Sequence, residues 1–391
     1  LISTNITVLF ETIHKICTFS FSFFTKSYNF VLNKHKGTMN SKALTSEAID
    51  LLQQLINTPS ISRGEEKAAD VLCTFMEKNG LTYSRHLNNV WSIAPHFDEQ
   101  KPTLLLNAHI DTVKPVAAWT RNPFKAKMEG NTLYGLGSND DGASVVSLLQ
   151  AFRVLNTRPQ AYNLIFLASA EEEVSGKNGI ECVLPLLPQI TLALVGEPTA
   201  MQPAVAEKGL MVLDVDIHGK AGHAARNEGV NALYEALDAI DWFRTYRFPK
   251  TSELLGDVKM SVTIINAGTQ HNVVPDKCTF TVDVRSNENY SNREIYETVC
   301  AHIKGDVKAR SFRLNSSRID LPHPFVQRAV GRGRTPFGSP TLSDQALMSF
   351  PSIKMGPGHS SRSHTADEFI KVNEIEEAIA LYVELLDGLS I

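Results

Sequence analysis

Three short apolar runs, Thr103–His109, 162–170 and 191–195, each end at or within two residues of an acid or a histidine. Between the first two, residues 143–155 carry apolar side chains at helical spacing, so strand, helix and strand alternate. A continuous apolar strand must be covered on both faces, which predicts an α/β fold with a mainly parallel, mixed sheet flanked by helices. Covering helices are supplied by Ala48, Ile49, Leu52, Leu55 and Ile56, and by Ala69, Val71, Leu72, Phe75 and Met76, with a turn at 58–62 between the two sets. Ile375, Ala378, Ile379, Leu381, Tyr382 and Leu385 predict another at the C-terminal end.

The pattern changes after Glu207. Residues 209–219 and 278–285 alternate apolar and polar in the manner of half-exposed strands, with a helix at 231–246 between them. This reads as a smaller α+β domain, 207–317, inserted into a larger domain made of 39–206 and 318–391. At roughly 150 residues per domain, 391 residues accommodate both. Residues 1–38 are read as a leader of doubtful status. They precede the first methionine, Met39, and their Phe-rich stretch 18–25 has neither a basic flank nor a small-residue cleavage site. Glu11, His14 and Lys15 interrupt it well short of a membrane span.

Composition narrows the partners. A hydrophobic share of 43% with 20% charged residues excludes disorder for most of the chain. A net charge of −4, evenly spread, excludes a protein that holds nucleic acid or membrane by charge, leaving a small molecule as the expected partner. Cys17, Cys73, Cys182, Cys278 and Cys300 are widely separated without C-x-x-C spacing, which argues against a disulfide framework or a thiolate metal site. A reducing cytoplasm is the expected location.

The chemistry lies at the ends of the apolar runs. His109 and Asp111 close one strand, Asp140 and Asp141 occupy a Gly-rich turn before a helix, Glu171, Glu172 and Glu173 close the next strand, and Glu197 follows a third. In an open α/β sheet these ends share one edge, where ligands bind. So many carboxylates converge in a cleft only around a compensating cation. Imidazole and carboxylate without thiolate suit Zn, Co or Mn. Taken singly, each element has a bland explanation: a structural histidine in H-x-D, a solvated turn in the acidic triplet. Residues 135–142 have the glycines of a phosphate loop, but lack its Lys-Ser/Thr ending, and two adjacent carboxylates repel phosphate.

Taken together, the order His109-x-Asp111, Gly135-x-Gly137-x-x-Asp140, Glu172-Glu173, Gly196-Glu197-Pro198-Thr199 and His364 resembles the acetylornithine deacetylase and succinyl-diaminopimelate desuccinylase family of dinuclear zinc amidohydrolases and peptidases. The likeness runs from about Leu51 to the C-terminus. It implies two metal ions bridged by Asp140, with His109 and Glu197 completing one site and Glu173 and His364 the other. Glu172 takes the place of the general base and Asp111 that of the acid orienting the histidine. His359 is an alternative ligand. The inserted segment resembles the family's lid and dimerisation domain. There His223 would reach the partner subunit's site in a homodimer, while Asn272 and Arg285 match positions that hold a substrate carboxylate.

The resemblance implies deacylation of an N-acylated amino acid, N-acetylornithine or N-succinylornithine in arginine biosynthesis before the others. Succinyl-diaminopimelate desuccinylase and dipeptidase or carboxypeptidase activities are the alternatives within the family. A catalytically silent binding module is the alternative outside it. Asp140-Asp141-Gly142 departs from the Asp-Met-Lys-Gly of many relatives, which weakens transfer of substrate from that branch; a cis Asp140–Asp141 peptide is expected. The remaining histidines, such as His86, His96, His271 and His323, read as surface or loop residues.

Overall fold

The computed structural model describes residues 41–391; the expected leader and Cys17 lie outside the described residues. Helices α1 (Ser41–Ile56) and α2 (Glu66–Lys78) lead into strands β1 (Ser84–His86), β2 (Asn89–Ile93) and β3 (Thr103–His109). Then come β4 (Lys127–Glu129), β5 (Thr132–Tyr134), α3 (Gly142–Leu155), β6 (Asn163–Ser169), the single turn α4 (Ile180–Val183), β7 (Leu192–Val195) and β8 (Ala204–Glu207). The segment after β8 contributes β9 (Met211–His218), β10 (Gly222–His223), α5 (Ala232–Thr245), β11 (Lys259–Ala267), β12 (Val273–Val274), β13 (Lys277–Arg285), α6 (Asn292–His302) and β14 (Asp306–Ala309). The chain returns through β15 (Ser317–Arg318), α7 (Pro324–Gly331), β16 (Phe337–Ser339), β17 (Ser352–Lys354), β18 (Phe369–Lys371) and α8 (Val372–Leu386).

The large sheet runs β1-β2-β6-β3-β7-β17-β8-β15, with β16 also on β8. Its centre, β6-β3-β7-β17, is parallel, and antiparallel strands close both sides. The continuous apolar runs are explained by two-sided burial. Along β3, Leu104, Leu106 and Ala108 pack into the core under α1, α3 and α8, while Leu105 points the other way, onto Ile165, Leu167, Ala193 and Val195. Helix α3 lies nearest the sheet, buried along almost its whole length. Its first residue, Gly142, has space for nothing more: a Cβ there would lie 2.5 Å from the Gly137 carbonyl oxygen and 2.6 Å from Leu52.

Strands β9, β11, β13 and β14 form a four-stranded antiparallel sheet, ordered β11-β13-β9-β14, with a core of its own. The alternation in β9 and β13 is that of a sheet covered on one face: Leu213, Val215, Phe280 and Val282 meet Ala236, Phe243, Ile295 and Val299 of α5 and α6. Asn231 caps α5, and Ser291 with Glu294 forms a capping box on α6. The connections to the large sheet are paired, since the returning β15 lies antiparallel to the departing β8, with Ser317 opposite Glu207. Among the described residues no helix is long and apolar enough to cross a membrane.

Candidate metal centre and active site

Parallel register brings the strand ends together. His109 at the end of β3 stands opposite Ser169 at the end of β6, and Asn107 opposite Val195 at the end of β7. His109-Asp111, Glu171–Glu173 and Glu197 therefore emerge side by side at the carboxyl edge of the sheet. Asp140 joins them from the turn preceding α3, and the Asp140–Asp141 peptide is cis.

His109 is almost fully buried, and its Nε2 lies 3.1 Å from Asp140 Oδ1. On the other side of the ring, Nδ1 is 2.9 Å from the Asp111 carbonyl oxygen and 3.4 Å from its carboxylate. The Asp111 carboxylate accepts the N–H groups of Glu172 at 3.0 Å and Glu173 at 3.1 Å, together with the Ser62 hydroxyl at 2.7 Å. One buried carboxylate thus fixes both the imidazole and the short helical turn, Glu172–Val174, that carries the next two acids. Left-handed residues flank that turn, with Glu171 at φ 55° and Ser175 at φ 44°. His364, itself at φ 59°, places Nε2 3.0 Å from Glu173 Oε2 and 3.6 Å from Asp140 Oδ2.

Two groups of donor atoms result, each within 4.8 Å of one another: His109, Asp140 and Glu173, and His109, Glu172 and Glu197. Burial, reinforced by the Asp140 charge, pushes Glu197 well above the carboxylate range. Burial likewise raises Glu172 well above it. Burial alone would lower the His109 imidazole, yet hydrogen bonds to Asp111 and Asp140 hold it well above its ordinary value. Excess negative charge in a desolvated cleft is the electrostatic demand that a divalent cation meets, and the donor set of imidazole and carboxylate fits a pair of them.

The remaining expected residues lie elsewhere. His359 is 3.9 Å from Glu374 and belongs to neither donor group. His223 sits exposed on β10, opposite Val273 of β12, and the Asn272 carbonyl accepts the Ala224 N–H at 3.0 Å, so His223 and Asn272 share one ribbon of the smaller sheet region. His223 Nδ1 accepts the Ala225 N–H at 3.1 Å, which leaves Nε2 as the protonated, donating nitrogen of the neutral ring. Arg285 ends β13 with Nε 2.8 Å from Asp283.

Three buried polar features were not singled out by sequence. Asp344 accepts from Asn107 at 2.9 Å and Ser169 at 2.6 Å behind the strand ends, where burial pushes its carboxyl up to about 6. Lys354 on β17 pairs with Glu207 at 3.0 Å, both side chains buried. Glu368 accepts backbone N–H groups from the Asp140 turn. Only Glu368 had a sequence signal, as the acid closing the segment that begins at His364.

Imidazoles and carboxylates gathered at the carboxyl edge of a mainly parallel sheet make this the site of a metal-dependent α/β hydrolase. Residues 105–388 match the model of peptidase family M20/M25/M40, and the chain belongs to that family. It is 25% identical over 372 residues to the acetylornithine deacetylase of Proteus mirabilis (strain HI4320), covering 87% of this chain and 96% of that protein. With the succinyl-diaminopimelate desuccinylase of Wolbachia pipientis wMel it shares 22% identity, covering 88% and 93% respectively. Aminopeptidase PepT from Bacillus cereus ATCC 10987 has the same fold, with a TM-score of 0.70 and 19% identity over 90% of this chain and 99% of that one.

Proposed function

We propose that the protein removes the acyl group from an N-acylated amino acid, with N-acetylornithine or N-succinylornithine in arginine biosynthesis as the substrate. The observation that carries this is the convergence of Glu172 with His109 and Glu197 at the sheet edge, within 4.8 Å of one another. Similarity to an acetylornithine deacetylase over nearly its full length supports the substrate class. The desuccinylase similarity supports succinyl-diaminopimelate as the second choice.

Two ions, zinc before cobalt or manganese, would be held by His109, Asp140 and Glu197 and by Asp140, Glu173 and His364. When bound, such ions acidify a water molecule and polarise an amide carbonyl. Glu172, although its carboxylate lies among the donor atoms with His109 and Glu197, is assigned the role of base: it takes the proton of the attacking water and returns it to the leaving amine. Its desolvated, raised carboxyl suits a group that must both accept and give a proton. Asp111 keeps His109 and the Glu172 turn in register through the hydrogen bonds described above. His223, from the partner subunit of a homodimer, donates Nε2–H to the developing oxyanion, and Asn272 and Arg285 receive the substrate carboxylate.

The test is metal content measured together with hydrolysis of N-acetylornithine, N-succinylornithine and N-succinyl-diaminopimelate. About two ions per chain with one strongly preferred substrate is the expected result. Metal without turnover on any acyl amino acid or dipeptide would overturn the reaction and leave a binding module.

A further inference from the structure

Two segments far apart in sequence meet beside the site: 135–141, which carries Asp140, and 356–368, which carries His364. Each grips the backbone of the other. Asn139 Oδ1 accepts the His359 N–H at 3.0 Å, and Asn139 Nδ2 donates to the His359 carbonyl at 3.1 Å and to Ser363 Oγ at 3.3 Å. In return the Glu368 carboxylate, 2% exposed, accepts the N–H groups of Gly137 at 3.1 Å, Asn139 at 2.8 Å and Asp140 at 2.9 Å. Three backbone donors converging on one buried carboxyl group fix the turn and the acid against each other. Gly358, at φ +80°, leaves space for this contact, since a Cβ there would lie 2.2 Å from Asn139 Oδ1.

The consequence falls on one pair of ligands. Asp140 is held directly by Glu368 through its own N–H, whereas the His364 side chain is 55% exposed and pairs with Glu173 and, more distantly, Asp140. Its segment is tied to the Asp140 turn by the grips on either side of it, at His359 and Ser363 and at Glu368, while Arg362–Glu374 and Asp367–Thr120 tie it to other parts of the chain. His109, by contrast, is fixed by β3 and Asp111.

We propose that Asn139 and Glu368 are positioning residues that set Asp140 against His364. They thereby govern the affinity of the cation position built by Asp140, Glu173 and His364, touching neither cation nor substrate. This rests on the two-cation reading above. In Glu368→Gln the amide oxygen still serves two of the N–H groups, but its NH2 faces the third. Asn139→Ala removes the opposite grip and leaves the carboxylate in place.

Calorimetric titration of the metal-free protein with zinc or cobalt tests the proposal. Wild type should bind two ions. Each variant should bind the second ion about 10- to 100-fold more weakly, the usual effect of removing a group that supports a ligand, and the first, which shares only Asp140 with the gripped segments, with a smaller loss. Denaturant unfolding of the metal-free variants separates this from loss of fold, and Asn139→Ala carries the test should Glu368→Gln fail to fold. Unchanged second-site affinity in a folded variant, or equal weakening of both ions, overturns the clamp alone. A wild-type protein that takes up fewer than two ions overturns the two-cation reading and the clamp with it.

Discussion

Asp111 concentrates more of the site's geometry than any ligand does. Burial would raise its carboxyl, but the hydrogen bonds with His109 and Ser62 hold it below its ordinary range, so it stays an anion where it is needed as an acceptor. Asp111→Asn would present an NH2 group to one of its donors, and metal affinity or turnover is expected to fall about 10- to 100-fold, read by titration and steady-state kinetics. Glu172→Gln should keep metal and lose most turnover, whereas His109→Ala should lose metal as well; equal metal loss in both would refute the separation of base from ligand. Because burial holds Glu172 and Glu197 toward their protonated forms, loading the site should release protons, measurable by calorimetry in buffers of different ionisation enthalpy. His109, Glu173 and Glu197 stood out in the sequence because acids and imidazoles at the ends of apolar runs are chemically unexpected, and Asp140 because it sits in a Gly-rich turn before a helix, whereas His364 was legible only through the family resemblance. The Glu368 grip was not legible, since its partner Asn139 is 229 residues away and a backbone N–H leaves no mark on sequence.

Among the elements, strands were the easiest to read. Two-sided burial made β3, β6 and β7 continuous apolar runs, and one-sided burial made β9 and β13 alternate, so class and boundaries followed from side-chain chemistry. Short pieces such as β15 and β17 carry no such pattern, and their places in the sheet depend on long-range pairing. The Lys354–Glu207 pair on β17 and β8 illustrates the cost of that pairing. Lys354→Met would leave Glu207 buried without its cation and should destabilise by about 3–5 kcal/mol in denaturant unfolding, with Glu207→Gln in the same background recovering part of the loss. His323, read as a bland loop residue, accepts the Phe325 N–H as the N-cap of α7. Burial holds it below its ordinary value of 6.5, so the unfolded chain protonates first as pH falls. Its contribution is therefore present above about pH 6.5 and lost as pH falls below it; His323→Asn, a cap that does not titrate, should flatten the stability profile below about pH 6.5.

At the scale of the whole molecule, the smaller sheet leaves β11 as an edge, with Ile264 and Ile265 exposed and Tyr234 and Leu237 exposed on the neighbouring α5. An open apolar edge of this kind is suited to pairing with a second copy. Ile265→Lys should shift sedimentation from dimer to monomer and lower turnover with metal content unchanged. A fully active wild-type monomer would refute the contribution of His223 across subunits.

The position of β17 has a consequence for how the protein is made. This strand lies between β7 and β8 in the sheet, yet its residues, 352–354, are synthesised after both of them and after the whole four-stranded domain. A ribosome that has passed Glu207 has delivered the two flanking strands without the one that joins them, and His364 comes later still. The four-stranded sheet, whose core draws on residues 211–303, can complete its own packing while the large sheet still waits for β17. A cation held by the full donor set would therefore have to wait until His364 has been made, well after the strands that carry His109 and Glu197.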